Sequence, residues 1–190
     1  MNEIKAANFD ENGLPTGPDP KAPRDTRRQQ TRDSAGTAHW NGQVRALQTD
    51  YMRKHGYLAC SDGGEKVVKK MHALKSLPTP GYDEARDPLV QQEGDQDAHA
   101  DEPIDRVRQF TRDEDVPLST ILAIMPGTCL RIRPFGGAWI IVTLEPGDLL
   151  IFRGDVCHNG LGYAHENVRV HAYVYHPAYN PGASSLNACS

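Results

Sequence analysis

Apolar positions Val44, Leu47 and Tyr51 recur at spacings of three and four after Trp40, and Gly56 follows, so the pattern predicts a helix ending near His55. Residues 56–60 read as a short strand. Val67, Val68, Met71, Leu74 and Leu77 put one apolar face on a second predicted helix over 64–77, which Pro78 and Pro80 would stop. Past residue 117 the pattern shortens into β-branched runs at 118–125, 129–133, 138–144, 148–153 and 168–175. Pro126-Gly127, Phe135-Gly136-Gly137, Glu145-Pro146-Gly147-Asp148 and His158-Asn159-Gly160 supply the turns between them. Turns at that frequency suit an all-β sandwich or barrel better than βαβ units. The expected fold class is therefore mainly β with flanking N-terminal helices packed outside a small antiparallel jelly roll.

Composition changes the picture at two places. Residues 1–36 hold Pro15, Pro18, Pro20 and Pro23, balanced charges and Phe9 as the single aromatic, which reads as a disordered Pro-rich arm available for contact with a partner. The remaining 37–190 then form one domain, long enough to bury a core without a stabilising metal or disulfide. Within it, residues 84–116 carry eleven acidic and four basic side chains and are expected to form a solvated acidic loop or a mobile lid. The whole chain has a net charge of −4, against the basic excess of a general nucleic-acid or anionic-membrane binder. Met1-Asn2-Glu3-Ile4-Lys5 lacks the basic and apolar regions of an export signal, and no apolar run is long enough to span a membrane. An intracellular, cytoplasmic protein is expected. Cys60, Cys129, Cys157 and Cys189 fit neither a zinc knuckle nor a dense disulfide framework, and they read as free thiols.

Candidate chemistry sits in the C-terminal half. Alternation along 168–175 sends Val168, Val170, Ala172 and Val174 to one face and Arg169, His171, Tyr173 and Tyr175 to the other. If the second face lines a barrel interior, it forms a polar pocket containing a cation. His158 follows a turn and a hydrophobic run, a natural place for an imidazole ligand. His99-Ala100-Asp101 is the one His-x-acid in the chain. On an extended segment residues two apart share a face, so His99 and Asp101 can bind one cation. A distant histidine would complete the two-histidine, one-carboxylate triad suited to non-haem Fe(II).

His99-x-Asp101, then His158 after 56 intervening residues and Arg169 after a further ten, with Gly147-Asp148 opening the strand before His158, resembles the 2-oxoglutarate/Fe(II) dioxygenase family. The resemblance spans about residues 96–176 and includes Gln96 before His99 and the run Leu118-Ser119-Thr120-Ile121-Leu122-Ala123-Ile124. It implies a double-stranded β-helix in which His99, Asp101 and His158 are the catalytic and metal ligands for Fe(II). It further implies that Arg169 meets the far carboxylate of 2-oxoglutarate, with Thr120, Tyr173 and Arg131 as candidates to line the pocket. The substrate would be a small molecule or a protein side chain. The chain departs from the family pattern at His171, where a small hydroxyl donor is common.

Two other readings fit parts of the pattern. The stretch from Gly147 to His158 also resembles the second cupin motif, with Arg153 and Asp155 at the usual proline and glycine positions. As another cupin-type metal enzyme, the chain could use His171 or His165 in place of Asp101. A non-catalytic jelly roll serving as a structural or assembly module, with the arm reaching to a neighbour, is the third reading.

Overall fold

The computed structural model describes residues 9–10, 14–15, 24–25, 27–31, 38–180 and 187–189. In chain order the elements are β1 (Leu14–Pro15), β2 (Arg24–Asp25), β3 (Arg28–Gln30), α1 (Ala38–Lys54), β4 (Val67–Ser76), β5 (His99–Ala100) and α2 (Ile104–Val107). They continue with β6 (Leu118–Ala123), β7 (Thr128–Arg133), β8 (Ile140–Leu144), β9 (Leu149–Arg153), β10 (Cys157–Gly160), β11 (Asn167–Tyr175) and β12 (Asn187–Ala188). Two five-stranded sheets form the body, ordered β3-β4-β11-β6-β9 and β12-β5-β10-β7-β8, while β1 and β2 pair separately. From β6 onward the chain crosses between sheets: β6, β9 and β11 lie in the first, and β7, β8 and β10 in the second. The neighbouring strands pair antiparallel. This is the winding of a double-stranded β-helix, or jelly roll, as the turn pattern predicts. No helix among the described residues is long and apolar enough to cross a membrane.

The alternation along β11 decides how the layers stack. Val168, Val170, Ala172 and Val174 are buried on its outer face against Trp40, Met52, Phe9, Val68, Met71 and Ala73, so α1 packs on the outside of the first sheet. Each fully buried valine there is worth about 1.5–3 kcal/mol relative to exposure. Between the sheets, Ile121 and Ala123 of β6 and Phe152 of β9 pack against Leu130 and Ile132 of β7 and Leu144 of β8. Beside this apolar cluster the interior holds the buried polar side chains His99, Asp101, His158, Ser119, Arg169 and His171.

The predicted second helix is a strand. Val68 and Met71 are both buried on the outer face of β4 although they are three apart, because Met71 faces Ala172 and Val68 faces Val174 with a register shift between them. One extra residue in β4 at that bulge turns a spacing of two into three, which mimics helical periodicity. Residues 56–60 likewise form a turn rather than a strand, joined only by the Ala59–Glu65 bridge. Gly56 makes that turn possible with φ at 78°, a left-handed value that costs glycine nothing. The first helix forms where expected but presents a different face. Leu47 is 71% exposed, and the buried series is Trp40, Gln48 and Met52, at spacings of eight and four, with Val44 partly buried between.

Part of the arm also departs from its composition. Arg28–Gln30 pairs with β4 at the edge of the first sheet, and Phe9 bridges Thr31 and packs in the core beneath Lys75. A short polar strand needs only an open sheet edge, which composition does not report. Most of residues 1–36 lie outside the described residues. The reading of four free thiols is corrected: Cys157 and Cys189 form a disulfide, with Cα atoms 6.0 Å apart, and Cys60 and Cys129 are free. β12 pairs antiparallel with β5 next to β10, which brings Cys189 beside Cys157 despite their separation in sequence.

The acidic segment is not uniformly solvated. Asp95 is buried, accepting from the Tyr82 hydroxyl, the backbone N–H groups of Gln92 and Gly162, and Arg131 Nη2 at 3.0 Å. Arg131 also donates to the Pro88 carbonyl and to Gln91 Oε1, both at 2.7 Å. Its planar fork therefore straps residues 88–95 onto the outside of β7 instead of lining a pocket. Arg131→Met would leave Asp95 as a buried, unpaired carboxylate, which we expect to destabilise the protein by about 3–5 kcal/mol. A lowered urea midpoint together with new proteolytic cutting in 84–96 checks this; an unchanged midpoint would mean the strap contributes nothing.

Candidate metal centre

The centre is built by one antiparallel register. β5 is only two residues long, and its pairing sets His99 opposite His158 of β10. The imidazole centroids lie 4.6 Å apart. Asp101, two residues past His99, shares that face. Beyond it, the Glu102 N–H donates to the Gly154 carbonyl at 2.9 Å. A Cβ at Gly154 would come within 2.9 Å of Glu102 Cγ, so this close approach needs glycine. His99, Asp101 and His158 are all buried, and their ligand atoms lie within 4.8 Å of one another.

The tautomers are set for metal binding. His99 Nδ1 lies 2.8 Å from the Asp97 carbonyl and His158 Nδ1 3.0 Å from the Val156 carbonyl. Only a protonated nitrogen can donate to a carbonyl, so each imidazole keeps its Nε2 lone pair for a ligand. This is the outer hydrogen bonding that orients metal-bound histidines. Phe152 packs edge-on against the His158 ring, with centroids 4.9 Å apart.

Asp101 is the electrostatic centre of the group. Its Oδ2 accepts from Ser119 Oγ at 2.5 Å and lies 3.2 Å from His171 Nε2 and 3.9 Å from His158 Nε2. Burial alone would raise its pKa, but the imidazoles of His171, His158 and His99 outweigh that and hold it well below the ordinary carboxylate range. Burial pushes the His158 imidazole down to about 4, against the opposing pull of Asp101. The resting centre thus holds an ionised carboxylate beside neutral imidazole, the protonation states a divalent cation requires.

The other predicted site residues divide. Arg169 is 2% exposed on the inner face of β11, and its Nη1 donates to Ser76 Oγ at 3.0 Å. Tyr173 is half-buried on the same face, its ring 4.6 Å from that of His171. Thr120 is not brought to the cluster: its hydroxyl reaches Gln48 of α1 and the Ala172 carbonyl, on the outer side of the sheet. Its neighbour Ser119 faces Asp101 instead, and sequence reasoning missed it. The cross-strand partner of Ser119 is Tyr173, which fixes the phase, but that register is not visible in one strand alone. His165 is exposed and belongs to no ligand cluster among the described residues.

A second group, Cys60, Asp62 and His176, also brings three ligand atoms within 4.8 Å. There the Ala178 N–H donates to His176 Nδ1 at 3.2 Å, so the proton sits on Nε2, facing Asp62 Oδ2 at 3.2 Å. In that tautomer His176 Nε2 is a donor to Asp62 and offers no lone pair.

Comparison with known proteins supports the architecture. No family model and no curated protein matches the chain. Among solved structures, a prolyl hydroxylase from Trichoplax adhaerens in complex with a hypoxia inducible factor oxygen degradation domain peptide aligns with a TM-score of 0.57 at 11% identity, covering 92% of this chain and 75% of that one. A 2OG-Fe(II) oxygenase family oxidoreductase from Burkholderia pseudomallei aligns at 0.56 and 9% identity, covering 100% and 79%. At such identities the likeness is one of fold. The chain has the double-stranded β-helix fold seen in 2OG-Fe(II) oxygenase structures.

Two outcomes test the centre. His158→Ala is expected to weaken Fe(II) binding by more than roughly 100-fold, since outer hydrogen-bond partners alone are worth about 10–100-fold. His165→Ala should leave binding unchanged in the same anaerobic titration. In the metal-free protein, the folded-state pKa of His158 lies below its unfolded value of 6.5, so the unfolded chain takes the proton first. The stability from this group is complete above about pH 6.5 and is lost as pH falls toward about 4. Urea unfolding of wild type and His158→Gln over that window should show the steeper fall in wild type; parallel curves would contradict it.

Proposed function

We propose that the chain is an oxygenase that uses Fe(II) and 2-oxoglutarate to hydroxylate a small molecule or a protein side chain. One observation carries the reading: the same buried interior holds two imidazoles with their Nε2 atoms free, an ionised carboxylate beside them, and the Arg169 guanidinium two residues along β11 from His171. The donor set suits Fe(II), since two imidazoles and one carboxylate hold it on one face and leave positions open. The likeness of fold to 2OG-Fe(II) oxygenase structures supports the same reading, and the peptide bound to one of them supports a protein side chain as the target.

In this reading His99, Asp101 and His158 would hold the metal. Bound there with 2-oxoglutarate, Fe(II) supplies the activation of O2 that couples decarboxylation of the keto acid to succinate and CO2 with insertion of oxygen into a substrate C–H bond. The protein does the positioning. Arg169 offers a planar fork to the far carboxylate, a pairing stronger and more directional than a point charge would give. Ser119 and His171 fix the Asp101 carboxylate against rotation. Phe152 covers one side of His158 and keeps water from it. Tyr173, half-buried, packs its ring against that of His171.

The test is an anaerobic titration with Fe(II) followed by 2-oxoglutarate, watching for the visible charge-transfer band of the chelate. The band is expected in wild type and absent in His158→Ala. In Arg169→Ala, Fe(II) should bind as before while 2-oxoglutarate weakens by roughly 30-fold or more, the equivalent of about 2 kcal/mol for truncating one side of a buried charge pair. Iron binding without a band would favour another cupin-type metal enzyme. No metal binding at all would favour the assembly module.

A further inference from the structure

Two guanidiniums, rather than one, occupy the interior beyond the histidines. Arg28 of β3 is 2% exposed, as Arg169 is. The β3–β4 register places Arg28 opposite Ser76, and Ser76 Oγ is the acceptor for Arg169 Nη1 at 3.0 Å. The same two side chains meet again at Gly160. Arg28 Nη2 donates to the Gly160 carbonyl at 3.2 Å, as well as to the carbonyls of Gly94 at 2.6 Å and Leu161 at 3.4 Å. Arg169 Nη2 lies 3.0 Å from the point a Cβ on Gly160 would occupy. Both guanidiniums therefore reach Gly160, and the buried Tyr163 phenol lies in the field of both.

Directly opposite residues on antiparallel strands share a face. Leu74 faces Arg169 and His72 faces His171, so these two rungs of β4 also point inward, yet both keep partial exposure. Like charges repel, and a carboxylate that reached both guanidiniums would be attracted by both.

We propose that Arg28 and Arg169 form a paired anion clamp that takes the far carboxylate of a dicarboxylic keto acid, Arg28 being supplied by the strand that precedes α1. This rests on the 2-oxoglutarate reading and adds to it a binding residue from outside the His99–Arg169 pattern. The segment before α1 becomes part of the co-substrate site. Loss of Arg28 then acts on the distal charge of the ligand and leaves its keto acid head untouched.

The experiment compares two ligands on the anaerobic Fe(II) protein: 2-oxoglutarate, and 2-oxobutyrate, which keeps the keto acid head but lacks the far carboxylate. Arg28→Gln should raise the Kd for 2-oxoglutarate at least 10-fold and leave that for 2-oxobutyrate within 2-fold. Arg28→Lys, which keeps the charge without the fork, should fall between wild type and Arg28→Gln. Should Arg28→Gln fail to fold, the same comparison is made on Arg28→Lys, where a loss of preference of at least 3-fold is expected. Equal weakening of both ligands would make Arg28 a clamp for backbone carbonyls only and overturn the proposal. So would an unchanged preference. A wild type that binds Fe(II) but not 2-oxoglutarate sinks the co-substrate reading and the clamp with it, an outcome distinct from failure of the clamp alone.

Discussion

A carboxylate buried inside a β-barrel is the constraint around which this interior is arranged. Asp101 is buried and ionised, a state that costs several kcal/mol unless donors surround it. The donors are Ser119 from β6 and His171 from β11, while Asp101 itself follows β5, with His158 of β10 and His99 beside it. Both donors stand in one sheet and the carboxylate follows a strand of the other, so it is satisfied only when the jelly roll has closed. Closure and site assembly are therefore one event.

The same economy runs along β11. Its outer face is an unbroken apolar stripe under α1, and its inner face runs from the Arg169 guanidinium through the His171 imidazole to the Tyr173 and Tyr175 rings. One alternating sequence thus anchors the helix layer and orders the interior by chemistry, cationic at one end and aromatic at the other. Because the side-chain period is two, a slip of one residue would exchange these faces completely. The valines fix the phase: four of them or their small counterparts must remain under α1, so Arg169 and His171 cannot leave the interior.

That logic explains which features could be read from the chain alone. The strand 168–175 shows its two faces openly, and His99-x-Asp101 shows its shared face through spacing, so the central cluster and Arg169 were legible. Ser119-Thr120 was not, because both positions carry hydroxyls and only the cross-strand register tells which points inward. β4 was misread because a bulge imposes a spacing of three on a strand. Gln48 sits in the buried series of α1 although it is polar, and its amide meets Thr120, a pairing that no periodicity in either segment announces. The disulfide needed the β12–β5 pairing, a long-range contact with no local signature.

The segment before α1 shows why average composition misleads at short range. Proline and balanced charge describe 36 residues together, but joining a sheet takes only three residues and an open edge. At that edge Arg28 gains three backbone carbonyls as acceptors and a place in the barrel interior beside Arg169. A guanidinium is suited to this because its N–H groups can bond several carbonyls while it keeps its charge. The edge strand therefore fastens the 94–96 segment to β10, and through it the approach to His99, while placing a second positive charge behind the centre.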